Sequence, residues 1–325
     1  MEAWVQDLRG QLNFINRLVT RHRHSDTELL IRKFGSQFAY GHREILFKYA
    51  GISSSAVLIG ILQHGVGPTF TLSSDWPTPR NKMFSRTPLW LYSRESANEI
   101  RNLGVKNVKA IGSPWLYSKM LEREESLQIP KHSKYMVFPR HYAESFLADN
   151  NIIEIQEKIR FWRVIAGSSE LEICLYWTEF MDKNWQEAAR RENVILRCAG
   201  VPSSSPAWSQ SISRVDFYKS LREIINSSTH CIFESFTSAI FYANDLGKQV
   251  GIFTSFTEKR EVTRRKMFQD EHFWLSHNLP GIFETCELNS TLDSMTQELL
   301  GYQDLLAPED LKNTLKFREQ VLQLD

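Results

Sequence analysis

Residues 230–253 read HCIFESFTSAIFYANDLGKQVGIF. His230 to Phe233 is an apolar run of strand length, and Gln249 to Phe253 is a second. Between them, Ser238 to Leu246 has the length and pattern of a short helix, entered through a hydroxyl-rich turn. A strand, a helix and a strand with short links return the chain to the same sheet edge-on and parallel, which is the α/β signature.

The same pattern extends on both sides. Tyr135 to Phe138, Glu172 to Trp177 and Val194 to Ala199 read as strands, and Ile152 to Ile165, Trp185 to Glu192 and Phe217 to Ile225 read as helices. Nearer the start, Ser54 to Leu62 (SSAVLIGIL) reads as one buried strand by its unbroken aliphatic run. Pro88 to Tyr92 and Val108 to Ile111 are further strands, separated by a helix that Ser93 caps and Gly104 closes. Two helices precede them: an amphipathic one over Glu2 to Arg21, with Trp4, Leu8, Leu12, Ile15 and Leu18 on one face, and a short one over His42 to Ala50. From Asn289 onward the chain reads as helices, with Pro308 at a helix start.

At 325 residues the chain exceeds what one core usually serves, so two domains are expected. Leu121 to Ser133 is charged, apolar-poor and broken by a proline, as an interdomain linker would be. The expected fold is therefore α/β and GT-B-like, with two Rossmann-like parallel-sheet lobes facing a central cleft. An acceptor-side lobe would occupy residues 1–125 and a donor-side lobe 126–285, with helices of 286–325 packing across both.

Composition removes several classes. Apolar residues make up 42% and charged residues 24%, which excludes wholesale disorder. A net charge of +1 gives no global attraction to nucleic acid, so an anionic substrate must be met by a local patch. Cys174, Cys198, Cys231 and Cys286 include no CxxC pair and no zinc spacing, and the first three lie in strand-like runs as reduced core residues. That usage fits a cytoplasmic protein. With Glu and Asp early in the chain and no apolar run of about 18 residues, neither a signal peptide nor a spanning helix is expected. Contact with the inner membrane face, if any, would be peripheral. Aromatics are rich at 12%, serving cores first and stacking on bases or sugars second.

Four stretches carry candidate chemistry. Gln63-His64-Gly65-Val66-Gly67-Pro68 leaves the carboxyl end of a strand, where ligands of open parallel sheets bind. His64 suits general-base work near neutral pH, and Gly65 permits close approach of an acceptor. Glu234-Ser235-Phe236-Thr237-Ser238 opens a helix, where unpaired amides favour a phosphate, three hydroxyls add donors and Glu234 could accept ribose hydroxyls. N-capping is the plainer use of such hydroxyls. Arg140 and His141, after the first strand of the second half, suit phosphate pairing. Glu179 and Asp182 also follow a strand end, as a base, a ribose ligand or a helix cap. The loop Pro79 to Arg86 brings Arg80, Lys82 and Arg86 toward an anionic acceptor or donor, and a second basic run spans Lys259 to Lys266. GxGxxG, GxxxxGK[ST], GxSxG, HExxH and a DxD-type pair are all absent, so a diphosphate would be met by helix dipole, hydroxyls and Arg or Lys without metal.

The order of these stretches resembles GT-B transferases of bacterial surface polymers, in particular the CDP-glycerol glycerophosphotransferase-like and the capsule or lipopolysaccharide glycosyltransferase groups. Gln63-His64-Gly65 with Pro68, Gly112-Ser113-Pro114, Phe138-Pro139-Arg140, Glu234 to Ser238 and Leu246-Gly247-Lys248-Gln249-Val250 carry the likeness, over residues 57–253. The resemblance implies a nucleotide-activated sugar as co-substrate, no bound cofactor and a saccharide or lipid-linked acceptor. It makes His64 the base or an acceptor-side residue and gives Thr237 with Ser238 the donor phosphate. Glu234 stands where many relatives have Asp, Phe236 interrupts the hydroxyls, and Gln249 replaces a Pro. A UDP-sugar 2-epimerase shares the layout but would want several cleft carboxylates. A non-catalytic partner in a polysaccharide assembly complex is the reading from another class.

Overall fold

The computed structural model describes residues 40–54, 56–66, 88–122, 132–140, 151–200, 217–254, 273–279 and 281–318. The expected helix over Glu2 to Arg21, the loop with Arg80, Lys82 and Arg86, His141, the middle of the linker and the basic run from Lys259 lie outside the described residues. The chain divides into two compact units, parting at Leu121/Glu122 and again at Glu298/Leu299. Both are α/β, and each holds a parallel sheet.

In the first unit, helix α1 (His42–Tyr49) precedes β1 (Val57–Leu58) and β2 (Ile61–Leu62), and β3 (Leu89–Leu91), α2 (Arg94–Asn102), β4 (Val108–Ala110) and α3 (Pro114–Leu121) follow. Strands β2, β3 and β4 lie side by side, all parallel. The Ser93 hydroxyl accepts the Ser96 amide at 3.2 Å and so caps α2, and Gly104 takes φ 91° where that helix ends. Ala97 and Ile100 of α2 close over Ile61, Leu89, Leu91 and Val108.

The expected single strand over Ser54 to Leu62 is two. β1 pairs antiparallel with β10 (Phe317–Arg318), while β2 joins the parallel sheet. The bonding partner changes across one residue: the Ile59 amide donates to the Lys316 carbonyl at 2.7 Å, and the Ile61 amide to that of Pro88 at 2.9 Å. Gly60 sits at the change with φ 153°. A Cβ there would overlap the Trp90 ring and lie 2.7 Å from the Pro88 carbonyl oxygen, so the ring takes the place of a side chain.

The second unit carries five parallel strands: β5 (Lys134–Phe138), β6 (Glu170–Cys174), β7 (Ile195–Arg197), β8 (His230–Phe233) and β9 (Gln249–Ile252), in spatial order β7-β6-β5-β8-β9. Helix α4 (Ile152–Ala166) presents Ile155, Ile159, Trp162 and Ala166, spaced by four, three and four residues, to Val137, Ile173 and Ile232 of the sheet. Trp185 and Ala188 of helix α6 (Lys183–Arg191) complete that layer, with the Trp162 and Trp185 rings at 6.4 Å and 9° to one another. Each isoleucine of this layer contributes roughly 2 kcal/mol by its burial. Trp90, Trp115 and Trp162 are fully buried, so much of the aromatic content serves packing.

β6 also carries a charge into this sheet. Glu172 accepts from Lys134 Nζ at 2.7 Å and from Arg197 Nε at 2.8 Å, a ladder across β5, β6 and β7. Burial pushes its carboxyl up, but the bonds from Arg197 and Lys134 outweigh that and hold it below the ordinary range. All four cysteines are free thiols; Cys174 and Cys231 are buried, Cys198 is half-buried rather than core, and Cys286 is half-buried. After β9 come α9 (Ser290–Leu300) and α10 (Pro308–Thr314), with Pro308 in the first helical turn, and then β10, a strand where only helices were expected. No helix among the described residues is long and apolar enough to cross a membrane.

Candidate functional site

Counted along the chain, the five-stranded sheet runs third, second, first, fourth, fifth. β5 and β8 are thus neighbours at the point where the winding reverses, and the crevice outside their carboxyl ends is where open α/β sheets receive ligands. Phe138 and Phe233 pair as the last rungs there, with rings 4.8 Å apart and nearly parallel. Immediately beyond them stand Arg140 and Glu234.

Glu234 ties this place together. Its amide donates to the Phe138 carbonyl at 3.1 Å, and its carboxylate accepts the Arg140 amide at 3.2 Å and the Lys158 ammonium at 3.1 Å. The side chain is fully buried. A carboxylate so placed acts as the knot between β5, β8 and α4. The expectation that Glu234 faces ribose hydroxyls therefore meets a carboxylate whose Oε2 already serves two donors. Lys158 lies one helical turn from Ile155, inside the stretch Ile152 to Ile165 that reads from sequence only as a helix, so its role escapes the sequence.

The three hydroxyls after β8 separate in role. Thr237 Oγ1 accepts the Ala239 amide at 3.5 Å, at the start of helix α8 (Ala239–Asp245). Ser238 has helical dihedrals and makes no side-chain cap; its hydroxyl bonds the Tyr242 phenol, which meets the Tyr218 phenol at 3.2 Å. Burial pushes the Tyr242 phenol up to about 12 against those two bonds. Ser235 is half-buried and makes no hydrogen bond among the described residues. Phe236 packs edge-on to Phe241 and Trp274, with centroids at 6.0 and 5.8 Å. Beyond β6, Glu179 in helix α5 (Trp177–Phe180) is buried and accepts the Thr178 hydroxyl at 2.6 Å. Asp182 caps α6 by accepting the Asn184 amide at 2.8 Å, the plainest of its three expected roles.

In the first unit His64 stands exposed just past the carboxyl end of β2. Gln63 fixes the turn that delivers it. Its side-chain oxygen accepts the Tyr92 amide at 2.8 Å, its carbonyl accepts the Tyr92 hydroxyl at 2.8 Å, and its amide group donates to the Gly65 carbonyl at 2.7 Å. Tyr40 stacks on the His64 ring at 5.5 Å and 28°, and the buried His42 lies at 6.1 Å. Burial, and secondarily His64, hold the His42 imidazole well below its usual range, so it is neutral at physiological pH. Neither Tyr40 nor His42 was singled out from the sequence, because only the fold brings them against His64. Among the described residues no three His, Cys, Asp or Glu side chains gather as a metal site.

No known family's sequence profile matches the chain, and no characterised protein's sequence matches it. Solved structures do. The Staphylococcus aureus MnaA–UDP complex aligns at 11% identity and a TM-score of 0.36, covering 81% of this chain and 65% of its own. UDP-GlcNAc 2-epimerase from Neisseria meningitidis bound to UDP-GlcNAc aligns at 17% and 0.35, covering 76% and 64%. The wall teichoic acid polymerase TagF aligns at 13% and 0.34, covering 74% and 56%. The chain thus spans less than two thirds of the length of each of these proteins.

Proposed function

We propose that the protein is a GT-B-type, metal-independent glycosyltransferase, or a related phospho-group transferase. It would move a sugar from a nucleotide-activated donor to a surface-polysaccharide acceptor. The reading is supported above all by the meeting of Arg140 and Glu234 at the winding reversal of a five-stranded parallel sheet. In it, the Arg140 guanidinium pairs with the donor diphosphate and Ser235 donates to it, while Glu234 holds the Arg140 backbone in place. His64 takes the acceptor proton as the acceptor oxygen bonds to the sugar carbon and the bond from that carbon to the diphosphate breaks, releasing the nucleotide. Transfer is favoured over 2-epimerisation because the carboxylates an epimerase would want are engaged: Glu234 with Lys158, Asp182 as a helix cap and Glu179 with Thr178.

Thermal shift against CMP-, CDP-, UDP- and GDP-sugars, followed by product analysis, tests the proposal. Stabilisation by one donor with nucleotide release supports it. Stabilisation with only an isomerised sugar points to an epimerase, and no stabilisation by any of the four points to a non-catalytic partner.

A further inference from the structure

We propose that Tyr40 and His42 are positioning residues for His64, holding its exposed imidazole in one orientation through a three-ring cluster. The inference rests on the reading of His64 as the base given above, and its consequence for turnover depends on that reading.

An imidazole standing at the surface after a strand end samples several rotamers unless something fixes it. Here two rings do. Tyr40 stacks on His64 with centroids at 5.5 Å and planes at 28°, and His42 approaches the same ring at 6.1 Å and 47°. Tyr40 and His42 also meet each other at 5.9 Å, so the three contacts close on themselves. The cluster joins two segments far apart in sequence, the turn before α1 and the end of β2.

The backbone before α1 is bent to make this possible. Tyr40 has φ 59° and Gly41 φ 73°, two successive left-handed residues. Glycine accepts that conformation freely, but a bulky side chain does so only where surrounding contacts compensate. The outlier residue is the one whose ring lies flat on His64. His42, the next residue but one, opens the helix fully buried, so its ring has little room to move. Being neutral, it sets no second positive charge beside His64. A neighbour that stays uncharged leaves His64 able to take up a proton without direct repulsion.

The test replaces Tyr40 in the full chain by Leu and, separately, by Phe. The His64 ring proton signals are followed by NMR, and turnover is measured with whichever donor the nucleotide panel identifies. The proposal expects His64 signals displaced by ring currents in the wild type and in Tyr40→Phe, and moved toward free-histidine positions in Tyr40→Leu. It also expects kcat to fall about tenfold or more in Tyr40→Leu with KM for the donor within about twofold, and Tyr40→Phe to retain wild-type kcat. His64 signals identical in wild type and Tyr40→Leu would overturn it, as would an unchanged kcat in that variant. If the wild type turns over no donor, the NMR comparison still decides the positioning, and only the reading of His64 as base fails. Should Tyr40→Leu not fold, His42→Phe is measured instead, with a shift of the His64 signals expected and none overturning the proposal.

Discussion

Lys158 and Glu234 show how the crevice outside β5 and β8 depends on a buried charge pair. Both side chains are buried, and their charges face each other at 3.1 Å. Removing one partner leaves the other charge stranded. Lys158→Met should therefore cost about 3–5 kcal/mol in a urea unfolding measurement, while the double change Lys158→Met with Glu234→Met recovers most of it. A single variant as stable as the wild type would show that the pair carries no such weight. His42 makes a second prediction. Its folded imidazole is held below the ordinary value of 6.5, so below that pH the unfolded chain binds a proton that the folded chain refuses. Stability should drop as pH falls from about 7 to about 5, and His42→Phe should lessen that drop; an equal drop in both proteins would contradict it. Glu172, held low by Arg197 and Lys134, acts in a separate window, its contribution present above its ordinary 4.5 and lost as pH falls through its lower folded value. His64 and Arg140 were legible as strand-end residues, because an apolar run followed by a polar turn marks the carboxyl end of a strand. Lys158, His42 and Tyr40 were not, since each gains its meaning from a side chain 22 to 76 residues away.

Local period served well for the elements. The β3–α2–β4 run and most strands and helices from β5 to β9 fall where apolar runs, caps and glycines place them, but the strand expected over Glu172 to Trp177 ends at Cys174, and Trp177 opens the unexpected helix α5. The misreading of Ser54 to Leu62 has one cause: β1 pairs with β10, whose partner residues lie some 260 positions further on, and no local pattern announces that pairing. Gly60 is the visible trace of the break. Gly60→Ala forces a methyl group into the Trp90 ring and should destabilise the protein by roughly 1–3 kcal/mol in urea unfolding, as overpacked cores do. Loss of less than half a kcal/mol would mean that the Trp90 ring moves aside at little cost. The hydroxyl turn after β8 gives the opposite lesson. Three hydroxyls looked surplus to one cap, yet Thr237 and Ser238 are engaged within the protein, and among the described residues Ser235 is the one of the three that makes no hydrogen bond.

For the molecule as a whole, two parallel sheets with helices were legible as alternating strands and helices, but the spatial order of the strands was not. Order depends on which strands pair, and that order is what singles out the crevice between β5 and β8 from every other strand end. A net charge of +1 provides no long-range field, so recognition of an anionic donor has to be local and concentrated in a few side chains. In the proposed function, Arg140 at the carboxyl end of β5 is the residue that pairs with the donor. Calorimetric titration of the wild type and of Arg140→Gln with CMP-, CDP-, UDP- and GDP-sugars puts this to the test. One donor should bind the wild type in a one-to-one ratio and bind Arg140→Gln about tenfold to a hundredfold more weakly, as the loss of a charge-assisted hydrogen bond requires. Equal affinity in the two proteins, or no binding of any of the four to the wild type, would contradict the assignment of a nucleotide to the ends of β5 and β8.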